Sequence, residues 1–566
     1  MPERRLPIAL TVCLAAAGLP APFATAQTPA ARGNPVDSLP ALQLPASPAG
    51  GADVRILTRP VPEQLPQSLS VTPLRFDIEG VQVISFDEVA GLFQPLAGQP
   101  VTVARLAEIA RQVTAIYQQR GYALSFCYVP QQDFNNGIVR IVAVEGYIET
   151  VQIEGEAGAA EPKIREIAER IRQNRPLQLA SFERYTQLLA QLPGVRVDAR
   201  ALPPTQTDGA GSLVLKVTRQ PYLVSLGADL RSSKPRAVVT GILNDPLLAG
   251  GRLSASTLLG AYKDETFGAL AYSQVVGSEG LTLKAEASLY RGNPDAHLDV
   301  APPIRRYTSY RRAELSALYP LILKRTESLL LSGGVYGVNN TDDFSNPVNG
   351  ARLTDEVKAR AVYAQASYHT AREDQSQSLT LRLVQGLNSL GADKSIRTNV
   401  PGPLPVNPAR LDFARILLEG SQRNRWGKSW GTAVSFATQY SPHILPSSER
   451  VSFGSTRFAR GYAAGEVAGD SGWGLGLELN HSFAVDMSYL KLIQPYVLLE
   501  KARVYSHAGT SSFSKLSSTS IGVRLSDGTY YNVDLAASKP TGEVSPDNPA
   551  RDIRLSAMVS YSLEQR

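Results

Sequence analysis

Arg460-Gly461-Tyr462 is the group of residues with the most to offer chemically. It lies midway along a stretch, Leu445 to Leu479, that reads LPSSERVSFGSTRFARGYAAGEVAGDSGWGLGLEL. An alternating run closes at Gln439-Tyr440, and another opens from Trp473 to Leu479, so the stretch is a long loop between two strands. Loops of this length inside a compact domain are seldom idle. A guanidinium carried on a glycine-flanked turn and folded away from bulk water needs an anionic partner.

Hydrolytic chemistry is not indicated. It would need a nucleophile, a base and an orienting acid. The five histidines (His297, His369, His443, His481, His507) belong to no catalytic motif, and there is no GxSxG, HExxH or Walker-type phosphate loop. Catalytic residues, cofactor, nucleotide and metal are therefore each expected to be none. Of the two cysteines, Cys13 lies in an N-terminal apolar run, which leaves Cys127 without a disulfide partner or a cysteine metal site. The net charge of +6 is scattered rather than clustered, so no nucleic acid is expected.

The elements that must position Arg460 can be read in order. Arg4-Arg5, the apolar segment Leu6 to Leu19 and the small-x-small site Ala24-Thr25-Ala26 have the layout of a secretory signal peptide, residues 1–26. The apolar segment is too short, and too interrupted by proline, to span a bilayer. Residues 27–73, rich in Pro, Ala and Ser, read as an extended linker. No plug helix is evident there. Residues 74–146 read βααββ. A strand around Gly80 is followed by a helix over Phe86 to Phe93. A second helix is N-capped by Thr102 and stopped by Gly121, with Leu106, Ile109, Ala110, Val113, Ile116 and Tyr117 on one face. Strands follow over Ala123–Val129 and 137–144. Residues 147–219 repeat the plan. From 220 to 566 helical periodicity gives way to segments of about ten residues that alternate apolar with polar, as in a transmembrane barrel. Leu281, Leu283, Ala285, Ala287 and Leu289 form one outward row; Ile553, Leu555, Ala557, Val559, Tyr561 and Leu563 form another. Charges on the opposite face suit a wet lumen, and the length accommodates about 16 strands.

These motifs together resemble the outer-membrane transporters of two-partner secretion, the FhaC/ShlB/HecB type (TpsB family), in the superfamily of the barrel-assembly protein BamA. The resemblance rests on SFGSTRFARGY with its following Gly469-Asp470, Trp473 and Glu478-Leu479, and on VPQQDFNNGIVRIVAVEG (Val129 to Gly146). It rests also on Leu192-Pro193-Gly194-Val195, on Asn244 to Leu247 with Gly250 to Leu253, and on Gln385-Gly386-Leu387. It implies two α+β POTRA domains, the first ShlB-type (74–146) and the second at 147–219, ahead of an outer-membrane β-barrel of about 16 antiparallel strands. The loop at 445–475 would carry the pore motif Arg460, Gly461, Tyr462.

In such transporters the loop arginine meets an acid in an FxD motif on the next-but-one wall strand. Here Leu498-Leu499-Glu500 stands in its place, and the resemblance makes Glu500 the lumenal partner. The implied function is recognition of an unfolded partner exoprotein, a TpsA-type adhesin or cytolysin, and its export through the barrel. The POTRA domains would lie in the periplasm of a Gram-negative bacterium. The substrate-binding POTRA edge would be Ala123, Leu124, Ser125, Phe126, Cys127, Tyr128 and Val129, through backbone pairing. Outer-membrane lipids and the barrel-assembly machinery would be further partners. Alternatives are a barrel-insertion factor of the same superfamily, and a passive porin or adhesin. One departure from the barrel pattern is the C-terminus, Leu563-Glu564-Gln565-Arg566, which lacks a terminal aromatic.

Overall fold

A computed structural model describes residues 34–39, 53–56 and 66–564, apart from 135, 205–206, 231–234, 261–263, 296–303, 456 and 510–512. The expected signal peptide lies outside the described residues.

The first module has the expected order. Arg75–Glu79 runs parallel to Ile138–Val144, which pairs antiparallel with Phe126–Tyr128. Helices Phe86–Phe93 and Val103–Gln119 cover the sheet. Thr102 caps the second helix by accepting from the Arg105 N–H, and Gly121 stops it at a φ of 87°. Its apolar stripe is buried from Leu106 to Tyr117 against Val139, Ile141 and Cys127. A two-residue strand, Ser70–Val71, pairs with Val101–Thr102, so the module begins before residue 74.

The second module repeats the topology. Tyr147–Gly155 is parallel to Ala210–Arg219, which pairs antiparallel with Val195–Leu202; helices Glu161–Arg172 and Leu179–Ala190 pack on the sheet. A fourth strand comes from the stretch read as linker. Asp53–Ile56 lies parallel to Val195–Leu202, with Asp53 opposite Asp198 and Ile56 opposite Ala201. The short Asp-Val-Arg-Ile run lies amid prolines and glycines, and its pairing partner lies far along the chain, which is why local pattern did not reveal it.

Beyond Arg219 the chain forms a closed antiparallel barrel. Eighteen strands follow one another around it. Gln375–Gly386 and Asp393–Thr398 both pair with Arg352–Ala371, and Ser471–His481 and Phe483–Met487 both pair with Leu490–Tyr505. Each couple is one interrupted wall position, which leaves sixteen positions among the described residues. Tyr222–Asp229 closes the ring against Arg554–Glu564.

Leu283, Leu289, Leu555 and Leu563 are exposed outward, while Tyr290, Ser560 and Ser562 are buried inward. Closure pairs each of the sixteen wall positions on both sides, with the short strands Asp393–Thr398 and Phe483–Met487 paired on one side only. A ring without a free edge is the condition for a sheet to lie in hydrocarbon. Aromatic residues exposed on the outer wall sit near both rims: Trp426, Trp430 and Phe483 at the module end, Tyr440, Trp473 and Tyr505 at the far end. Such girdles mark the two membrane interfaces.

The second module is bound to the barrel mouth. Arg184 donates to the Pro320 and Glu279 carbonyls at 3.0 and 3.3 Å and to the Tyr319 hydroxyl at 3.2 Å. The Tyr185 hydroxyl donates to Glu279, and Arg170 to the Ser278 hydroxyl. Leu323 at the end of a wall strand is buried in the module's own core.

Candidate functional site

The long loop leaves the wall after Tyr440 and rejoins it at Ser471. Its chemistry explains why it folds into the lumen rather than outward. Val451, Phe453, Ala459, Tyr462 and Val467 are buried against the wall residues Ala502, Val504 and Leu516. A short hairpin, Val451–Phe453 with Val467–Gly469, sets the loop's shape.

Glycines let it approach. On the returning strand Gly472 and Gly474 face inward, and a Cβ on Gly474 would stand 2.5 Å from the Phe458 ring. A Cβ on Gly461 would stand 2.7 Å from the Pro540 nitrogen, so the Arg-Gly-Tyr turn can lie against the strand Tyr531–Pro540 only because residue 461 has no side chain. Tyr462 then reaches over the rim to donate its hydroxyl to the Glu543 carbonyl at 2.8 Å.

Arg460 projects toward the opposite side of this turn. Its guanidinium pairs with Asp534 at 3.2 Å and donates to the Tyr496 hydroxyl at 2.7 Å, and Tyr496 in turn donates to Asp534 at 2.6 Å. Arg524 flanks the group, paired to Glu478 through two nitrogens at 2.7 and 2.6 Å. Glu500 is at the site, but in a different role from the one expected. It accepts from the Arg460 backbone N–H at 2.8 Å and from the Ser518 hydroxyl at 3.1 Å. The side-chain partner is therefore Asp534, two wall strands further on. Sequence reasoning missed it because Asp534 sits in an ordinary alternating segment, Tyr531–Pro540, with no motif around it. The signal that could have found it is that Asp534 is the one acid in its alternating strand, Tyr531–Pro540.

Between the loop tip and the module-end turns lies a cavity of about 1360 Å³. Charges of both signs line it, among them Arg423, Arg425, Glu419 and Glu478, with Ser421, Asn424, Gln494 and Asn532 between them. Apolar side chains share the lining, among them Trp430, Val434, Phe436 and Leu498.

A second chain segment enters the lumen from the stretch read as linker. Pro35–Ser38 forms a single 3-10 turn, with the Asn34 side chain accepting from the Val36 N–H. Val36 packs on an inward cluster that includes Tyr290, Tyr310, Tyr336, Phe413 and Leu445. The turn lacks the length and amphipathic spacing of a helix, so no helix pattern marks it in the sequence.

The expected POTRA edge is shorter than predicted. Only Phe126–Tyr128 is strand. Leu124 and Ser125 are buried; Leu124 packs in the second module's core, and the Ser125 hydroxyl accepts from the Gly146 N–H. Ala123 and Val129 lie outside the strand. The strand is at a sheet edge, yet its centre is occupied. The Cys127 N–H donates to the Thr114 hydroxyl at 2.9 Å, and the Cys127 carbonyl accepts from that hydroxyl at 3.4 Å. Burial pushes the Cys127 thiol up to about 12. The opposite edge, Arg75–Glu79, pairs with no further strand among the described residues.

The architecture defines a class, the outer-membrane POTRA–barrel proteins. Within it, residues 321–525 match the family described as haemolysin secretion/activation protein ShlB/FhaC/HecB, and residues 71–146 match the POTRA domain, ShlB-type. By these two matches the chain is similar to the ShlB/FhaC/HecB family of two-partner secretion transporters. It is 22% identical to the hemolysin transporter protein ShlB of Serratia marcescens, over 90% of this chain and 89% of that one. Against the heme/hemopexin transporter protein HuxB of Haemophilus influenzae it is 20% identical, over 88% and 89%. The fold is similar to CdiB from Escherichia coli (TM-score 0.66, 18% identity, 89% of this chain and 93% of that one). It is similar also to BamA from Haemophilus ducreyi lacking POTRA domains 1–3 (TM-score 0.51, 14% identity, 88% of this chain and 100% of that one).

Proposed function

We propose that this protein binds an unfolded partner exoprotein through its two N-terminal modules and passes it through the barrel to the cell surface. On this reading the module at 147–219 is a second POTRA domain, both modules lie in the periplasm, and the long loop with the Asn34–Leu39 turn closes the resting pore. The observation that carries the reading is the cavity beneath the loop tip, lined by charged, polar and apolar side chains, with the second module bound at its mouth. An extended polypeptide needs polar groups for its backbone, and this lining supplies them. No oxidant, nucleotide or metal enters the mechanism. Folding of the cargo outside supplies the free energy, and no catalytic role is assigned to any residue.

Arg460 acts in this mechanism as a latch. Its attraction to Asp534 in a partly desolvated lumen is far stronger than in water, so the loop rests inward until cargo displaces it. Recognition falls to backbone pairing at a sheet edge. With the Cys127 position occupied by Thr114, the edge offered by Arg75–Glu79 is the better template in the first module. The test is co-expression with a candidate partner exoprotein. Cargo should appear outside the cell with the intact protein, and remain in the periplasm when residues 66–219 are deleted. Export that persists without the modules would refute the assignment of recognition to them.

A further inference from the structure

The long loop is gripped at its root as well as at its tip. Glu449 lies in a 3-10 turn, Ser447–Glu449, at the start of the loop and is fully buried. Its carboxylate pairs with Arg415 at 2.7 Å and accepts from the Tyr336 hydroxyl at 2.8 Å. Its backbone carbonyl accepts from both Arg415 and the Gln439 amide, at 3.1 and 3.0 Å. Beside it the Ser447 hydroxyl accepts from Asn340 at 3.1 Å and donates to Asp342 at 3.4 Å, and Asp342 is itself paired with Arg306 at 2.9 Å. None of these residues belongs to the Arg460 group.

We propose that Glu449 is a positioning residue that sets where Arg460 can reach, by clamping the loop root to the wall opposite the tip's partners. Tyr336 is on the seventh wall position and Arg415 on the tenth, whereas Tyr496 and Asp534 are on the thirteenth and fifteenth. In a ring of sixteen, the seventh and fifteenth positions face each other across the lumen. A loop held only at its tip could swing about that point. Held on both walls, it spans the bore. The clamp is also where the N-terminal turn rests, since Val36 packs on the same cluster as Tyr336. An unpaired carboxylate at so buried a place is unfavourable, so a segment that disturbs Tyr336 or Arg415 also weakens the hold on Glu449.

This inference rests on the barrel being a conduit, but its test reads loop position and does not need transport. Full-length protein is reconstituted in liposomes and treated with trypsin from the outside, where Arg457 and Arg460 offer cleavage sites within the loop. The wild-type loop should resist. Glu449→Ala and Glu449→Gln should each be cut at least ~10-fold faster, while the barrel still migrates as a folded species without heating. Exchanging the pair, Glu449→Arg with Arg415→Glu, should restore much of the resistance at Arg457 and Arg460 if charge pairing is the cause, read from fragment masses because the exchange adds a tryptic site at position 449. If Glu449→Ala abolishes assembly, Tyr336→Phe, which removes one hydroxyl only, should still raise the rate. Assembled variants with wild-type resistance would overturn the proposal, even if export were impaired. Export that fails in the wild type while the trypsin pattern holds would instead count against the transport reading.

Discussion

Asp534 and Glu500 divide the hold on Arg460: Asp534 takes the guanidinium at 3.2 Å, and Glu500 takes the main-chain N–H of the same residue at 2.8 Å. One hold depends on the side chain, the other on where the turn lies. The two acids sit on wall strands with one strand between them, so the tip is triangulated rather than tethered at a point.

This division predicts unequal coupling. In double-mutant cycles on the heat-stability of the barrel, Arg460→Ala with Asp534→Asn should show an interaction of about 1–3 kcal/mol. Arg460→Ala with Glu500→Gln should be additive within about 0.5 kcal/mol, because alanine keeps the N–H that Glu500 binds. Arg460→Ala and Asp534→Asn should reduce export to a similar degree, with the barrel still assembled. A larger coupling to Glu500 than to Asp534 would reverse the roles of the two acids.

Gly461 makes a stricter demand than the arginine. A methyl group there would meet the Pro540 nitrogen at 2.7 Å and the Lys539 carbonyl carbon at 2.9 Å, both backbone atoms of a paired wall strand that cannot yield. Gly461→Ala should therefore lift the turn off the wall at a cost of about 1–3 kcal/mol, the usual range for overpacking. It should abolish the benefit of Asp534 without touching either charge. The cycle of Gly461→Ala with Asp534→Asn should then show the second change to be nearly silent.

Much of the frame was legible in the sequence because it is written in period. The helix stripe of Leu106, Ile109, Ala110 and Val113 and the outward rows of the barrel depend on residues two to four apart, and they lie where the pattern puts them. The loop motif was legible because SFGSTRFARGY and the residues after it resemble the large loop of the transporter family. Asp534 was not, since its role comes from a partner 74 positions away. Nor were Asp53–Ile56 and Asn34–Leu39, which are too short for any period and gain their structure from distant surfaces. The edge strand was read too long because Leu124 alternates correctly but is claimed by the neighbouring module's core.

Cys127 supplies a pH prediction. Burial raises its thiol from an ordinary value of 9.0 to about 12, so the folded state keeps a proton that the unfolded chain loses. Its contribution to stability is therefore constant below pH about 9 and falls as pH rises from there toward about 12, by about 1.4 kcal/mol per unit at the steepest. A Cys127→Ala variant should show a shallower loss of stability across that window in urea titrations of the full chain. At pH 8 the wild-type thiol should resist a disulfide reagent until the first module is unfolded. Rapid labelling of the native protein would contradict the burial.

The two edges of the first module can be told apart by experiment. An incoming strand needs outward N–H and carbonyl groups, and side chains matter less. At Phe126–Tyr128 the Cys127 groups are engaged by the Thr114 hydroxyl, so this edge can accept a strand only if Thr114 gives way. Among the described residues Arg75–Glu79 carries no such cap, and it is joined on one side only, to Ile138–Val144. Proline at Asp77 and, separately, at Ile78 should weaken cargo binding in at least one case, because successive residues point their N–H groups to opposite sides and one of the two faces outward. Thr114→Val keeps the shape of the side chain and removes the hydroxyl. It should leave cargo affinity unchanged if Arg75–Glu79 is the template, and raise it if Phe126–Tyr128 is. Binding of the cargo's N-terminal region to full-length protein in detergent, followed by calorimetry, decides between them. Tighter binding in Thr114→Val, with both proline variants at wild-type affinity, would place the cargo strand beside Cys127 and remove it from Arg75–Glu79.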